Sequence, residues 1–194
     1  IVTVKENRGE IVTVKENERM DLAKLNLRAG EKAMSLATFF SAASYLKAGI
    51  GLLCDCHWEK QYDISLQLYS LYVEAEYRNG NFQEVGRAAG TVLQEAKSFE
   101  NKLRVFATLI KSLAAQNKVQ VAIDIGFNVL GDLGVQCPSP LPEKSAIMKD
   151  VMEMKRMLEN STEAEFLNYR EMNDSKMIAA MKFLQSLVLY TFIG

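Results

Sequence analysis

Apolar positions recur at three- and four-residue steps along most of the chain, the period of an amphipathic helix rather than of a strand. From Glu18 onward, Leu22, Leu25, Leu27, Ala29 and Ala33 form one stripe, and Phe39, Phe40, Ala43, Leu46, Ile50 and Leu53 continue it. Residues 62–77 repeat the pattern with Leu66, Tyr69, Val73 and Tyr77, then stop at Asn79-Gly80-Asn81, a helix-terminating turn. Further helices are predicted over 82–96 (Val85, Ala89, Leu93), over 103–115, and over 119–133, the last ending at Gly134 as its C-cap. All three prolines fall in Pro138-Ser139-Pro140-Leu141-Pro142. Proline fixes its own φ and pushes the preceding residue away from helix, so this segment reads as an extended linker. Beyond it, Ile147, Val151, Met154 and Leu158 mark another helix. Thr162 and Glu165 have capping-box spacing, and Asn173 or Asp174 caps a last helix carrying Ile178, Met181, Leu184, Leu187 and Val188.

The N-terminus breaks this rule. Residues 1–7 and 11–17 are identical, β-branched and partly alternating. They predict a short β-hairpin or a duplicated extended arm.

Helix pairs also repeat. Gly80-Asn81-Phe82 and Asn117-Lys118-Val119 each stand at a tight helix–helix turn, 37 residues apart. Ala75 and Ala114 precede these turns, Val85 and Ala122 follow them, and Phe40 with Ala43 fits the same slot in an earlier pair. A single pair cannot bury its apolar face, so neighbours stack into a continuous core. The predicted fold is all-α: stacked antiparallel helix pairs forming a tetratricopeptide-like α-solenoid. Its divisions are an arm at 1–17, helical repeats at 18–137, the proline-rich linker at 138–142, and C-terminal helices at 143–194 packing on the repeats.

Composition narrows the chemistry. Of 194 residues, 48% are hydrophobic and 24% charged, ordinary values for a chain that builds a core. Lys and Arg number 23 against 24 Asp and Glu, so neither a nucleic-acid footprint nor a polybasic membrane anchor is expected. Met177–Ile193 is the most apolar stretch, but it contains Lys182 and is short of the roughly 20 residues that span a bilayer. Only peripheral association with a larger assembly is left open. Cys54, Cys56 and Cys137 are no disulfide framework and point to a reducing intracellular compartment, cytosol or an organelle matrix or stroma. The chain starts at Ile1 rather than Met, which reads as a fragment or a processed product.

Few residues offer a site. Cys54-Asp55-Cys56-His57 is the one cluster with metal-ligand chemistry, but a zinc site needs four ligands, usually as two separated pairs. C-x-C-H also lacks the spacing for haem attachment. Gly126, Gly131 and Gly134 lack the lysine of a phosphate loop. No catalytic residue, cofactor or enzyme activity is therefore expected. Seven of nine methionines lie in the last third, and methionine suits adaptable partner surfaces. Met148, Met152, Met172 and Met177, with Tyr62, Tyr69 and Tyr72, are the expected protein-partner contacts.

The ordered series of local sequences carries a resemblance. It runs through residues 26–33 and 40–49, Trp58, Leu66-Gln67-Leu68-Tyr69, Glu74-Ala75-Glu76-Tyr77, Gly80-Asn81-Phe82, Ala115-Gln116-Asn117-Lys118, residues 129–135 and residues 174–181. Together these resemble the helical-repeat region of large multidomain signalling proteins. There an AAA- or STAND-type ATPase module precedes tetratricopeptide-like helices, often followed by sensor and histidine-kinase modules. The resemblance covers about residues 18–192 and departs at Ser175, where the family usually has proline. It implies a scaffold whose chemistry sits in other modules, and no phosphate loop or kinase catalytic loop occurs here. Three functions follow as expectations: a non-catalytic protein-interaction scaffold, a fragment of a signalling ATPase–histidine kinase, or an accessory subunit of a large assembly.

Overall fold

The computed structural model describes residues 2–5, 11–14, 16–136, 143–160, 162, 165, 168 and 171–193. The helical periodicity becomes α1 (Glu16–Ser35), α2 (Phe39–Gly51), α3 (His57–Lys60), α4 (Tyr62–Arg78), α5 (Phe82–Glu95) and α6 (Phe99–Ala115). After these come α7 (Val119–Asp132), α8 (Lys144–Glu159) and α9 (Ser175–Ile193). The fold class is all-α. The duplicated N-terminal sequence adds a two-stranded hairpin, β1 (Val2–Lys5) and β2 (Ile11–Val14), in antiparallel register Val2↔Val14 through Lys5↔Ile11. The chain divides into two compact units, Ile1–Ala122 and Ile123–Gly194.

The first unit is organised by one repeated turn. α1, α4 and α6 each end with a residue of positive φ, Ala37 (55°), Gly80 (75°) and Asn117 (60°). At each end the N–H of that residue bonds back to Met34, Tyr77 or Ala114, and the next N–H bonds to Ala33, Glu76 or Leu113, at 2.9–3.1 Å. This closes the orphan carbonyls of the helix end in the Schellman pattern. The residue after the positive-φ position is Thr38, Asn81 or Lys118. Its carbonyl accepts the first N–H of the following helix, from Ala42, Val85 or Ala122. All three of those residues are fully buried. The first turn thus places Phe39 and Ala42 in the slot expected for Phe40 and Ala43. Phe40 instead lies 80% exposed. Ser112, buried, is the counterpart of Ala75, and the expected Ala114 sits three residues before its turn, half-buried.

Small residues choose the buried faces. α1 buries Ala23, Leu27, Gly30 and Ala33, whereas Leu22 and Leu25 of the expected stripe are exposed. α2 buries Ala42, Ala43, Leu46 and Gly49. A Cβ on Gly30 would lie 2.6 Å from Leu46 Cγ, so α1 and α2 approach as closely as a bare backbone permits. α2 packs on α4, α4 on α5, and α5 on α6, while α4 also touches α1 and α6. The core of this unit runs through Leu46, Leu68, Tyr72, Val73, Val85, Val92 and Val105.

The two links between pairs differ in length. Only Ala96, Lys97 and Ser98 join α5 to α6, with Ser98 Oγ capping the Asn101 N–H at 3.3 Å. Residues 52–61, including α3, join α2 to α4. This longer link accounts for the wider spacing between the first two turns.

In the second unit, Asp174 Oδ1 accepts from the Lys176 and Met177 N–H groups and starts α9, as the sequence predicted. Thr162 and Glu165 form the reciprocal capping box, at 2.7 and 3.4 Å. Gly134 (φ 89°) closes α7 with the same two backbone bonds as the earlier turns. The buried stripe of α9 is Ala180, Phe183 and Leu187; of the expected stripe Leu187 is buried, whereas Met181 and Val188 are exposed. A Cβ on Gly126 would lie 2.5 Å from Leu187 Cδ2, so close approach of α7 and α9 fixes that face. Asn160 is the C-cap of α8. The proline-rich segment 138–142 lies outside the described residues.

Candidate functional site

Three places bring chemistry-bearing side chains together in the first unit. The first is the α2–α4 link. Arg19 of α1 reaches in and donates from Nη2 to the Leu53 carbonyl at 3.0 Å, tying the link down. The sulfurs of Cys54 and Cys56 are 3.7 Å apart. Burial, then the neighbouring Cys56 thiol, push the Cys54 thiol above its ordinary value, so it is not a poised nucleophile. The hydrogen bond to Cys56 raises Lys60.

His57 turns away from the thiols. Its ring stacks on Tyr69 at 5.8 Å and 11°, and Nδ1 is 2.9 Å from Ser65 Oγ. Ser65 is fully buried, with Oγ 2.8 Å from the Gln61 carbonyl and 3.3 Å from the His57 carbonyl. Both carbonyls only accept, and the hydroxyl has one proton to share among them and Nδ1. A serine buried this completely is not presented to a substrate as a nucleophile. Burial lowers the His57 pKa, opposed by Glu95 and Asp55. Among the described residues no group of three or more His, Cys, Asp or Glu side chains is placed to hold a metal ion. Cys137 lies outside those residues.

The tyrosines expected to meet a partner have structural contacts instead. Trp58 packs on Tyr69 at 5.3 Å and edge-on to Tyr62 at 6.0 Å. Tyr62 Oη accepts from the Lys97 N–H and from Asn101 Nδ2, each at 2.8 Å, and Lys97 Nζ sits 4.3 Å over the Tyr62 ring. Tyr62 therefore fastens the start of α4 to the α5–α6 link. Tyr72 corrects the expectation outright: it is 1% exposed and belongs to the core.

The second place surrounds the Tyr72 hydroxyl, which donates to Glu84 Oε1 at 2.8 Å. Arg87 forks onto the same carboxylate, with Nε–Oε2 at 2.8 Å. The Arg87 fork holds Glu84 at about 2, with the Tyr72 hydroxyl assisting and burial opposing. Burial and the Glu84 bond drive Tyr72 far above its ordinary value. The third place is an open cleft of about 270 Å³ between α4 and α6, with Met34 at its rim. Arg78, Arg104 and Lys111 line it, and Arg104 forks across to Glu74, with Nη2–Oε2 at 2.9 Å. Sequence reading missed this cleft, because its cations are spread over residues 78–111 and meet only when the two helices pack.

The methionines behave differently. Met148 and Met152 on α8, Met172 before α9, and Met177 on α9 are 57%, 64%, 51% and 43% exposed. No helix among the described residues is long and apolar enough to cross a membrane.

Comparison with known proteins returns one kind of relative. Over 162 residues the chain is 26% identical to the hybrid signal transduction histidine kinase G of Dictyostelium discoideum. The match takes in 79% of this chain and 5% of that protein, so the chain spans a small part of its relative's length. No family profile matches the chain, and no solved structure does.

Proposed function

We propose that this chain is a non-catalytic protein-interaction scaffold of tetratricopeptide-like helix pairs. The observation that carries the reading is the turn used three times. Each copy has a positive-φ residue at the same position, the same back-bonding and a fully buried small residue, Ala42, Val85 or Ala122. Repetition of one supersecondary unit is how quasi-one-dimensional proteins extend a binding surface. The cleft between α4 and α6 is the part of that surface with the shape and charge to engage a protein segment.

A second reading is favoured by the match to the Dictyostelium kinase: these residues form the helical part of a larger signalling polypeptide, with its chemistry elsewhere. Native mass spectrometry on material purified from its source separates the two. A 21.8 kDa chain held in a larger complex supports the dedicated scaffold. A polypeptide several times heavier supports the second reading. A free chain with no partner defeats both.

A further inference from the structure

α8 carries an apolar seam that its own unit does not cover. Every described side chain from Ser145 to Asn160 is exposed. Ile147, Val151, Met154 and Leu158 are 45%, 52%, 61% and 54% exposed. Their steps of four, three and four residues fit the a/d register of a coiled coil, with Met148 at e and Met157 at g widening the apolar face. Ile147 and Met154 take d, and Val151 and Leu158 take a. A 16-residue helix is marginal in water without a partner for such a face.

The flanking charges select the partner. In this register Asp150 is at g and Lys155 at e. When two parallel copies align, each g residue meets the e residue five positions on in the other helix. Asp150 of each copy then faces Lys155 of the other, twice per pair. An antiparallel copy brings Met157 to Asp150 and Met148 to Lys155, leaving both charges without an opposite. Among the described residues Lys155 makes an exposed contact with Glu159, at 3.7 Å, which it gives up at little cost. A lipid surface fits worse, because residues 145–160 carry Asp150, Glu153 and Glu159 against Lys149, Lys155 and Arg156. We propose that α8 pairs in parallel, in register, with α8 of a second copy of this chain.

Little more than two heptads are available, so the pairing is weak on its own and strengthens in any larger assembly that holds two copies together. The test is sedimentation equilibrium of the full chain from about 10 μM to 1 mM, the range that brackets micromolar to millimolar association. The expected result is a rise from 21.8 kDa toward twice that mass. Val151→Asp buries a carboxylate in the seam and should weaken association by about a hundredfold or more. In dilute solution, where neither chain pairs, circular dichroism should stay that of the parent, since Val151 is 52% exposed. Asp150→Lys and Lys155→Asp should each weaken pairing about three- to tenfold, and the double swap should restore it. A mass fixed at 21.8 kDa throughout overturns the proposal and leaves the seam to another part of the chain or to a different protein. So does a doubling that survives Val151→Asp. Single swaps without effect overturn the parallel arrangement.

Discussion

α5 and α8 have similar sequences in outline, and the structure treats them oppositely. Both are amphipathic, 14 and 16 residues long. α5 sinks Val85, Ala88, Ala89 and Val92 to 0–1% exposure, between α4 and α6. α8 leaves Ile147, Val151, Met154 and Leu158 45–61% exposed. The chemical difference lies in residue size. The α5 face is built from valine and alanine, which let neighbouring backbones close in, whereas the α8 face has one valine among isoleucine, methionine and leucine at coiled-coil spacing. Periodicity announces that a face will be covered; residue size along it tells whether neighbours in the same chain come close enough to cover it.

The sharpest way to break this contrast is truncation. Leu46→Ala or Leu68→Ala should cost about 2–5 kcal/mol in urea unfolding, because both side chains are fully buried. Val151→Ala should change the stability of the dilute chain by no more than about 0.5 kcal/mol. Equal costs would mean that α8 is covered in solution.

Close approach gives the next largest effect. Gly30→Ala should destabilise by about 1–3 kcal/mol, since its Cβ would meet Leu46. Gly86→Ala, with nothing within 4 Å, should stabilise by about 0.5–1 kcal/mol through helix propensity alone. The same sign at both sites would remove the argument from small residues.

The three turns give a smaller test. Ala37 holds φ 55° where Gly80 holds 75°. Ala37→Gly should raise the melting stability by about 1 kcal/mol and Gly80→Ala should lower it by a similar amount.

The smallest expected effect is on pH dependence. His57 is held below its ordinary pKa by burial, so protonation favours the unfolded chain. That stability is present above the usual imidazole range, near about 6.5, and is lost as pH falls through it. Glu84 is lowered to about 2, so its contribution is present above the carboxylate range and lost as pH falls toward that value. Denaturant midpoints measured across pH should show two separate steps. His57→Gln should remove only the upper one.

What was legible in the sequence follows the same logic. The turn at Gly80 was visible because glycine and asparagine advertise positive φ. The equivalent turn at Ala37 was not, and the first pair was therefore read one residue out of phase, on Phe40 and Ala43 rather than Phe39 and Ala42. The existence of the helices followed from periodicity, but their buried faces did not. In α1 and α9 part of each stripe was misplaced: Leu27, Ala33 and Leu187 are buried as expected, but Leu22, Leu25, Met181 and Val188 are exposed, because Ala23, Gly30 and Ala180, with Gly126 of α7, set the contact by being small. α3 escaped notice because four residues carry no period. Of the candidate partner residues, the methionines are exposed. The tyrosines are not, since an aromatic side chain with a polar tip suits a core edge as well as a surface.

The shared residue at each turn has a consequence for length variation. Thr38, Asn81 or Lys118 leaves the first helix through its N–H and begins the second through its carbonyl, so no spare residue lies between them. Inserting a single residue between Asn81 and Val85 would turn α5 by about 100° and send Val85, Ala88 and Val92 into water. The link at 52–61 already differs from its three-residue counterpart without disturbing the helices on either side. Insertions and deletions in related chains should therefore gather between pairs and spare the turns within them, and a peptide tag or probe belongs in the first kind of position.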